Sequence, residues 1–267
     1  MGERLQNKCA WSSSRESTFL ECKKKYWYTY YGAWEGWPIH YNDARKSVDP
    51  LASYLYRLKN MQPVPVFLGS LVHKVIENTL RTLMKSKKLP AFSLILEEGK
   101  FLLQRGLHES TQKAYLKNPK KHINLLEEYY GRKIPPIDEL ERKVETCLFN
   151  WYHSPIVQSM VLHPMASFGD VEQLMTFTIA PEMECIVVFD LYLHWKRGTP
   201  DEKLIIFDWK TGGENSRIQK QMLSYALAAT HMLQAPLDSL ILCPFYLADS
   251  PHAYKKLGVG QEHSISE

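Results

Sequence analysis

Two short apolar runs, each interrupted by one aspartate, constrain the fold of this chain more than any other feature. The runs read CIVVFDLYLHW from Cys185 and KLIIFDW from Lys203, and the segment KRGTPDE connects them. β-Branched and aromatic residues on either side of a glycine- and proline-containing turn are typical of two paired strands. The pattern therefore predicts a β-hairpin over residues 185–209.

The position of the turn decides which residues face each other across this hairpin. If the strands pair symmetrically about Thr199, Asp190 lies opposite Asp208, with β-carbons roughly 4.5 to 5.5 Å apart. Two carboxylates at that separation can hold one hard cation together. Lys210 lies on the same face as Asp208 and Trp209 on the other, because side chains alternate along a strand. A buried Asp–Lys ion pair that only orders the sheet is the alternative interpretation.

The segments around the hairpin predict one mixed sheet. Residues 171–179 alternate as a strand that joins the hairpin through a turn at 180–183, and apolar residues recur at helical spacing over 218–232. The run SLILCPFYL then predicts a last strand, and Pro244 indicates an edge or a bulge. An antiparallel meander, a right-handed crossover and a parallel strand give an α/β (α+β) fold with helices on the sheet.

The N-terminal half predicts helices. Phe19, Cys22, Tyr26, Tyr30 and Trp34 recur as one face of a first helix, whose opposite side carries lysines. This mixture could follow a nucleic-acid strand, or the rings could pack in the core while the lysines are solvated. The further expected elements are a loop or short helix over 41–66 and helices over 69–84, 94–118 and 137–153.

Composition and missing motifs exclude several classes of function. The chain has 267 residues, 45% of them hydrophobic, and a net charge of +4, which fits a globular protein and permits nucleic-acid binding. No apolar stretch is long enough to span a membrane and no signal core stands at the start, so we expect a cytoplasmic protein. Five scattered cysteines argue against a disulfide framework and a closed zinc site. The HExxH motif of zinc hydrolases and the phosphate loop of ATPases and helicases are both absent.

Five motifs in order resemble the RecB-like branch of the PD-(D/E)XK nucleases, which includes CRISPR-associated adaptation nucleases and AddB-type nuclease domains. They are the serine-rich SSSRESTFLECKKKYWYTY, the Gly-x-x-x-His of GSLVH, the aspartate of IVVFDLYL, the Asp-x-Lys of FDWK and the Gln-x-x-x-Tyr of QMLSY. The resemblance covers roughly residues 11–230. It implies a restriction-endonuclease-like αβββαβ core with a mixed sheet and an N-terminal helical elaboration.

The resemblance also implies a division of the chain and an activity. Residues 1–135 would be a helical part that carries the Gly-x-x-x-His motif, residues 136–250 the nuclease core, and residues 251–267 a polar tail. The activity would be metal-dependent hydrolysis of DNA that leaves 5′ phosphates, in DNA repair, recombination or phage defence. The alternative is a catalytically silent DNA-docking or scaffold subunit of a larger complex.

The same resemblance assigns roles to the hairpin residues. Asp190, Asp208 and Lys210 would be catalytic. Mg²⁺ or Mn²⁺ would be held by Asp190, Asp208, His73 and the backbone carbonyl of Trp209. Lys210 would orient the attacking water or help to deprotonate it.

Three further residues have two interpretations each. Glu172, which we expect to start the strand before the hairpin, would join the metal ligands, or it would be a surface glutamate. Gln221 and Tyr225, one turn apart, would bind the nucleic-acid backbone or a base, or else face solvent and the core. Without the family, His73 would be a helix histidine bonded to Glu77.

Two features depart from the family pattern. Val187, Val188 and Phe189 stand where a glycine usually precedes the first aspartate, so we expect a narrower approach for the substrate than in the family. Cys22 matches the first ligand of the iron-sulfur members, but only Cys243 follows the hairpin, so we expect no cluster. The expected partners are single- or double-stranded DNA and, because the chain has no helicase motif, a helicase or other subunits.

Overall fold

A computed structural model describes residues 7–37, 49–213 and 217–258. These residues form a mixed six-stranded sheet with helices on both faces, which confirms the predicted α/β class. The helices are α1 (Ser13–Glu21), α2 (Lys23–Trp27), α3 (Pro50–Lys59), α4 (Val64–Ser86), α5 (Phe92–Thr111), α6 (Leu126–Tyr129), α7 (Ile137–Tyr152) and α8 (Arg217–Met232). The strands are β1 (Ala10–Trp11), β2 (Ala166–Ala180), β3 (Met183–Trp195), β4 (Lys203–Lys210), β5 (Leu240–Tyr246) and β6 (Leu257–Gly258). A π-helical turn, Tyr28–Gly32, follows α2, and another, Val157–Val161, follows α7.

The central hairpin has the predicted register. β3 and β4 pair with Leu191 opposite Phe207 and with Trp195 opposite Lys203. This pairing is symmetric about Thr199, and its continuation brings Asp190 level with Asp208. The predicted register is therefore confirmed, although the paired ladder itself stops one residue short of Asp190 and Asp208.

The strands around the hairpin complete the predicted order. β2 runs antiparallel to β3, and β5 runs parallel to β4 after the α8 crossover. β2 begins at Ala166, earlier than predicted, and so Glu172 lies inside the strand rather than at its start. Contrary to the prediction, β5 lies between β4 and β6 and pairs with β4 through Pro244 without a bulge. Pro244 does lie outside the short ladder between β5 and β6, which pairs only Ile241 and Leu242. A proline is tolerated at that place because its missing N–H leaves no ladder bond unmade.

One edge of β3 is shared by two strands that do not meet. β2 pairs with β3 along its whole length and occupies the opposite edge. β1 pairs with Glu184 and Cys185, whereas β4 pairs only from Leu191 onward. Residues 186–190 consequently have no strand beside them on this edge within the described chain. The gap between β1 and β4 opens into a cavity that Ile186, Val187, Val188 and Asp190 help to line.

The side chains of β2 and β3 change from one face of the sheet to the other at neighbouring positions. Phe189 packs with the residues under α8, and Leu191 packs with those under α4 and α7. Residues two apart on a regular strand share one face, so the pleat changes side at Asp190. β2 changes side at the same level, where Glu172 has a left-handed φ of 52°.

The sheet separates two apolar cores. Helices α4, α5 and α7 cover one face, and α8 covers the other. Trp209 points into the first core, where its ring lies 6.4 Å from that of Trp151, as the alternation along β4 predicts. None of the described helices combines the length and the apolar composition of a membrane-spanning segment.

The N-terminal half differs from the prediction in several places. The first helix is broken at Cys22, whose extended backbone (φ −163°) ends α1 and whose thiol accepts the Lys25 N–H of α2. The segment 41–66, expected to be a loop or a short helix, contains the short helix α3. α4 already begins within this segment, at Val64, because Pro65 occupies a first-turn position where a helix needs no N–H donor. α5 ends at Thr111, earlier than predicted, and β1 was not predicted. Residues 41–48 of the expected loop and 259–267 of the expected tail lie outside the described residues.

Candidate active site

The gap beside β3 leads into a cavity of about 610 Å³. Its walls come from the start of α1, from β2, β3 and β4, and from α4 and α8. The lining side chains that the sequence singled out are His73, Glu172, Asp190, Asp208, Lys210, Gln221 and Tyr225. The fold thus brings together all the side chains that were predicted to form a site.

Asp208 is a buried residue of β4, and its two carboxylate oxygens have different contacts. Oδ1 accepts hydrogen bonds from the Tyr225 hydroxyl (2.8 Å) and from the Gln221 amide (3.1 Å). Lys210 Nζ forms an ion pair with Oδ2 at 2.6 Å, and no other described group donates a hydrogen bond to this oxygen. Oδ2 is therefore a buried carboxylate oxygen with lone pairs left for a cation.

Asp190 lies where the ladder between β3 and β4 ends. Its Oδ2 accepts the backbone N–H of Trp209 at 2.6 Å, in place of a further strand–strand hydrogen bond. Its Oδ1 lies 3.4 Å from Nδ1 of His73. The carboxylate is thereby held between α4 and β4, at the level where the pleat reverses.

His73 reaches the site from α4. Its Nε2 lies 2.8 Å from the carbonyl oxygen of Trp209, the backbone group that the family resemblance singled out. Gly69, one turn earlier, permits this approach, since a β-carbon there would lie 2.9 Å from the Thr211 hydroxyl. The alternative partner Glu77 instead pairs with Lys74 and Arg81 on the outer side of α4.

Glu172 joins His73 and Asp190 through an unusual backbone conformation. A left-handed φ costs a residue other than glycine about 1–3 kcal/mol and is often found at functional sites. It brings Oε1 to 3.6 Å from His73 Nδ1. Arg81 fixes the neighbouring backbone, because it donates a hydrogen bond to the carbonyl of Val171 at 2.8 Å.

The crowding of carboxylates changes two pKa values. Burial lowers the pKa of His73, but the carboxylates of Asp190 and Glu172 outweigh it and raise this pKa to about 10. Burial, followed by the charge of Asp190, raises the pKa of Asp208 to about 6, although Lys210 and Tyr225 act in the opposite direction. Both shifts reflect excess negative charge that a divalent cation would neutralise.

The donor atoms fit a hard divalent cation. His73, Glu172 and Asp190 each offer a ligand atom, and these atoms lie within 4.8 Å of one another. The Trp209 carbonyl oxygen borders this group through His73, whereas Asp208 lies outside the three-residue group and lines the same cavity. Carboxylate and carbonyl oxygens suit Mg²⁺ and Mn²⁺, and a single imidazole adds a ligand of intermediate character.

Gln221 and Tyr225 contact Asp208 and Lys210. The Gln221 amide donates to the Tyr225 hydroxyl (2.8 Å) as well as to Asp208, and its carbonyl oxygen accepts from Lys210 Nζ (2.9 Å). Tyr225 is buried, whereas Gln221 is half-buried and borders the cavity. Both side chains therefore fix the direction of the two charged groups on β4.

Sequence reasoning missed several lining residues, namely Ser12, Ser13, Ser14, Ser17 and Ser224. The first three belong to the serine-rich motif but were given no role in the site, and one of them, Ser12, caps α1. Their place in the wall depends on β1, which is too short to leave a periodic signal in the sequence.

This fold and site define a restriction-endonuclease-like protein, in which a hairpin carries the acidic residues and a lysine. A family model of the PD-(D/E)XK nuclease superfamily matches residues 10–257. The chain belongs to the PD-(D/E)XK nuclease superfamily, whose members are metal-dependent nucleases. No curated protein matches the chain significantly.

Proposed function

We propose that this protein is a divalent-metal-dependent DNA nuclease whose catalytic residues are Asp190, Asp208 and Lys210. The observation that carries the proposal is the contact between Lys210 and Asp208 beside Asp190 and His73 in one cavity. Structural ion pairs are also found in sheets, but a purely structural pair would not need further acidic groups next to it.

Asp190, Asp208, Glu172, His73 and the carbonyl of Trp209 would hold Mg²⁺ or Mn²⁺. When bound, the cation lowers the pKa of a water molecule and offsets negative charge on the phosphate oxygens. The carboxylates fix its position, because hydrogen bonds from α8 and from the β4 backbone hold them in place.

Lys210 orients the attacking water and accommodates charge that develops on the scissile phosphate. Its ammonium group is held between Asp208 Oδ2 and the Gln221 carbonyl oxygen, so it points into the cavity. Gln221 and Tyr225 hold the side chains of Asp208 and Lys210 in fixed orientations through hydrogen bonds. Gln221 also borders the cavity, and the family resemblance assigns it and Tyr225 to binding of the nucleic-acid backbone or a base.

We also propose that the protein belongs to the RecB-like branch and leaves 5′ phosphates on its DNA product. The order of the five motifs in the chain supports this assignment. DNA repair, recombination and phage defence are the settings of that branch, and a helicase or other subunits would supply strand separation.

The test is cleavage of end-labelled single- and double-stranded DNA with Mn²⁺, Mg²⁺ or EDTA. We expect metal-dependent cutting by the wild type, none by Lys210→Ala or Asp208→Ala, and 5′ phosphates on the products. If DNA binds but is not cut under any of these conditions, the protein is instead a docking or scaffold subunit.

A further inference from the structure

A second surface, which the proposed mechanism does not use, lies on α1, α2 and the π-helical turn after them. Every residue from 19 to 25 is exposed, and neither helix contains a buried residue. The aromatic–lysine surface consists of Phe19, Lys23, Lys24, Trp27, Tyr28 and Tyr31. Its four rings are between 36% and 52% exposed, so the helices present their aromatic side chains to solvent.

The Trp27 ring is fixed in place although half of the residue is exposed. One side of the ring rests on Gly32, where a β-carbon would lie 2.8 Å from the indole Cζ3. The Tyr28 ring packs against it at 5.4 Å and 72°. A ring that is supported on one side and exposed on the other can stack on a planar group with little loss of conformational freedom.

The lysines of this surface have aromatic rather than acidic neighbours. Lys23 Nζ lies 5.6 Å from the centre of the Phe19 ring, and Lys24 Nζ lies 5.9 Å from that of Tyr28. Neither lysine pairs with a carboxylate in the described part of the chain, whereas Lys25 pairs with Glu21. Cations interleaved with rings are the chemistry that binds single-stranded nucleic acid through phosphates and bases.

The surface is continuous with the active-site cavity. Ser13, Ser14 and Ser17 of α1 line that cavity, and an ion pair between Glu16 and Lys220 (2.8 Å) joins α1 to α8 beside it. A helix of nine residues is about 14 Å long, so α1 leads directly from the cavity to the aromatic–lysine surface.

We propose that the aromatic–lysine surface binds the single-stranded DNA that flanks the point of cleavage. Bases stack on Trp27 and the neighbouring rings, and phosphates lie beside Lys23 and Lys24. Paired bases in a duplex have no free face to offer, so the surface favours single strands. This inference rests on the proposed nuclease function and specifies its substrate class.

The test is fluorescence anisotropy of labelled oligothymidylates in EDTA, which prevents cleavage. We expect Trp27→Ala to weaken binding by at least about fivefold and Trp27→Phe to retain most of it, because phenylalanine still offers a ring. The double variant Lys23→Ala/Lys24→Ala should reduce the slope of log K against log salt concentration by about 1.4, because each lost phosphate contact lowers this slope by ~0.7. Wild-type affinity should be higher for single strands than for duplex and should rise with oligonucleotide length.

The controls are Phe101→Ala, which removes an exposed ring on α5, and Lys85→Ala/Lys88→Ala, which removes two exposed lysines. These variants should bind like the wild type, and thermal melts should show that all variants are folded. The inference would be overturned if folded Trp27→Ala and Lys23→Ala/Lys24→Ala both bound DNA as tightly as the wild type. It would also be overturned if the wild type bound duplex more tightly than single strands.

Hydrolysis of a small chromogenic phosphodiester separates this inference from the nuclease proposal. Metal-dependent turnover by the wild type and none by Lys210→Ala would support the nuclease, and unchanged DNA binding in the surface variants would then refute only the surface. If the surface variants lose binding but no substrate is hydrolysed, the surface is supported and the nuclease proposal fails.

Discussion

At the scale of single residues, the two carboxylate oxygens of Asp208 differ in their contacts. Oδ1 is bound by neutral donors from α8, whereas Oδ2 has only the ionic contact with Lys210. Because Oδ1 is held in place, Oδ2 keeps a fixed direction toward the cavity. A carboxylate fixed in this way loses little conformational freedom when it binds a cation.

We predict that Lys210→Met reduces cleavage at least about hundredfold, the scale typical of a lost proton-transfer or water-orienting group. Mn²⁺ affinity should stay the same or rise, because a competing positive charge beside Asp208 is removed. Single-turnover cleavage and calorimetric Mn²⁺ binding measure the two effects separately. The matched control is Lys203→Met, at the other end of β4, whose ammonium group binds the Asp238 carbonyl. A Lys210→Met protein that cuts at the wild-type rate would remove Lys210 from the mechanism.

Protons and the divalent cation should compete at His73. The pKa of His73 near 10 makes it an imidazolium at neutral pH in the metal-free protein, and a ligand nitrogen must lose its proton. Mn²⁺ affinity should therefore rise with pH up to about 10 and fall further below pH 6, where Asp208 also takes up a proton. Calorimetry in buffers of different ionisation enthalpy should detect release of about one proton at neutral pH. Affinity that does not change with pH, without proton release, would contradict this role of His73.

At the scale of elements, the site depends on how α8 meets β4. The Tyr225 hydroxyl donates to Asp208 across this junction and lowers the Asp208 pKa, against the effect of burial. Tyr225→Phe should raise this pKa and move the acid limb of the pH–rate profile to higher pH. We expect a rate loss of about tenfold, since a hydrogen bond to a charged group contributes ~1.5 kcal/mol.

The control for Tyr225→Phe is Tyr192→Phe, a buried tyrosine of β3 that does not line the cavity. Its pH profile should match that of the wild type. If Tyr225→Phe instead raises KM and leaves the pH profile unchanged, Tyr225 binds substrate rather than positioning Asp208.

The hairpin could be predicted from sequence because its information is local. Two apolar runs and the turn centred on Thr199 determine the register, and the register brings Asp190 level with Asp208. The face of Lys210 follows from the same two-residue period. The position of His73 came from the family motif, because contact between α4 and β4 depends on packing between distant segments.

The remaining features leave no periodic signal. Glutamate carries no sequence mark of a left-handed φ, so the pleat reversal at Glu172 was not predictable. The break at Cys22 was hidden because aromatic residues continue at helical spacing on both sides of it. β1 is too short for an alternating pattern. Without it, the sequence could not predict that the serines at the start of α1 line the cavity.

At the scale of the whole molecule, the cavity lies where separate parts of the fold converge. On one edge of β3, the residues between those paired with β1 and those paired with β4 have no neighbouring strand within the described chain. α4 reaches this opening from one face of the sheet, and α8 reaches it from the other. The proposed ligand atoms on β2, β3, β4 and α4 thus come from distant parts of the chain. A cation that binds them joins elements which the unfolded chain does not hold together.

Metal binding should therefore stabilise the folded protein. A cation at a hundredfold excess over its dissociation constant adds ~2.7 kcal/mol, and each kcal/mol raises the Tm of a chain of this size by about 2–4 °C. Thermal melts with Mn²⁺ should lie several degrees above those in EDTA, and Asp190→Asn should abolish the difference. An equal Tm in both conditions would contradict a metal site built across these elements.

The most direct measurement is cleavage of labelled single-stranded DNA across a Mn²⁺ titration by the wild type and by Asp208→Asn. Asparagine keeps the shape of residue 208 but removes the negative charge. We predict cutting only with metal in the wild type, no cutting by folded Asp208→Asn at any Mn²⁺ concentration, and normal cutting by the exposed-loop control Asp201→Asn. Cleavage in EDTA, or wild-type cleavage by Asp208→Asn, would contradict the assignment of this cavity as a metal-dependent nuclease centre.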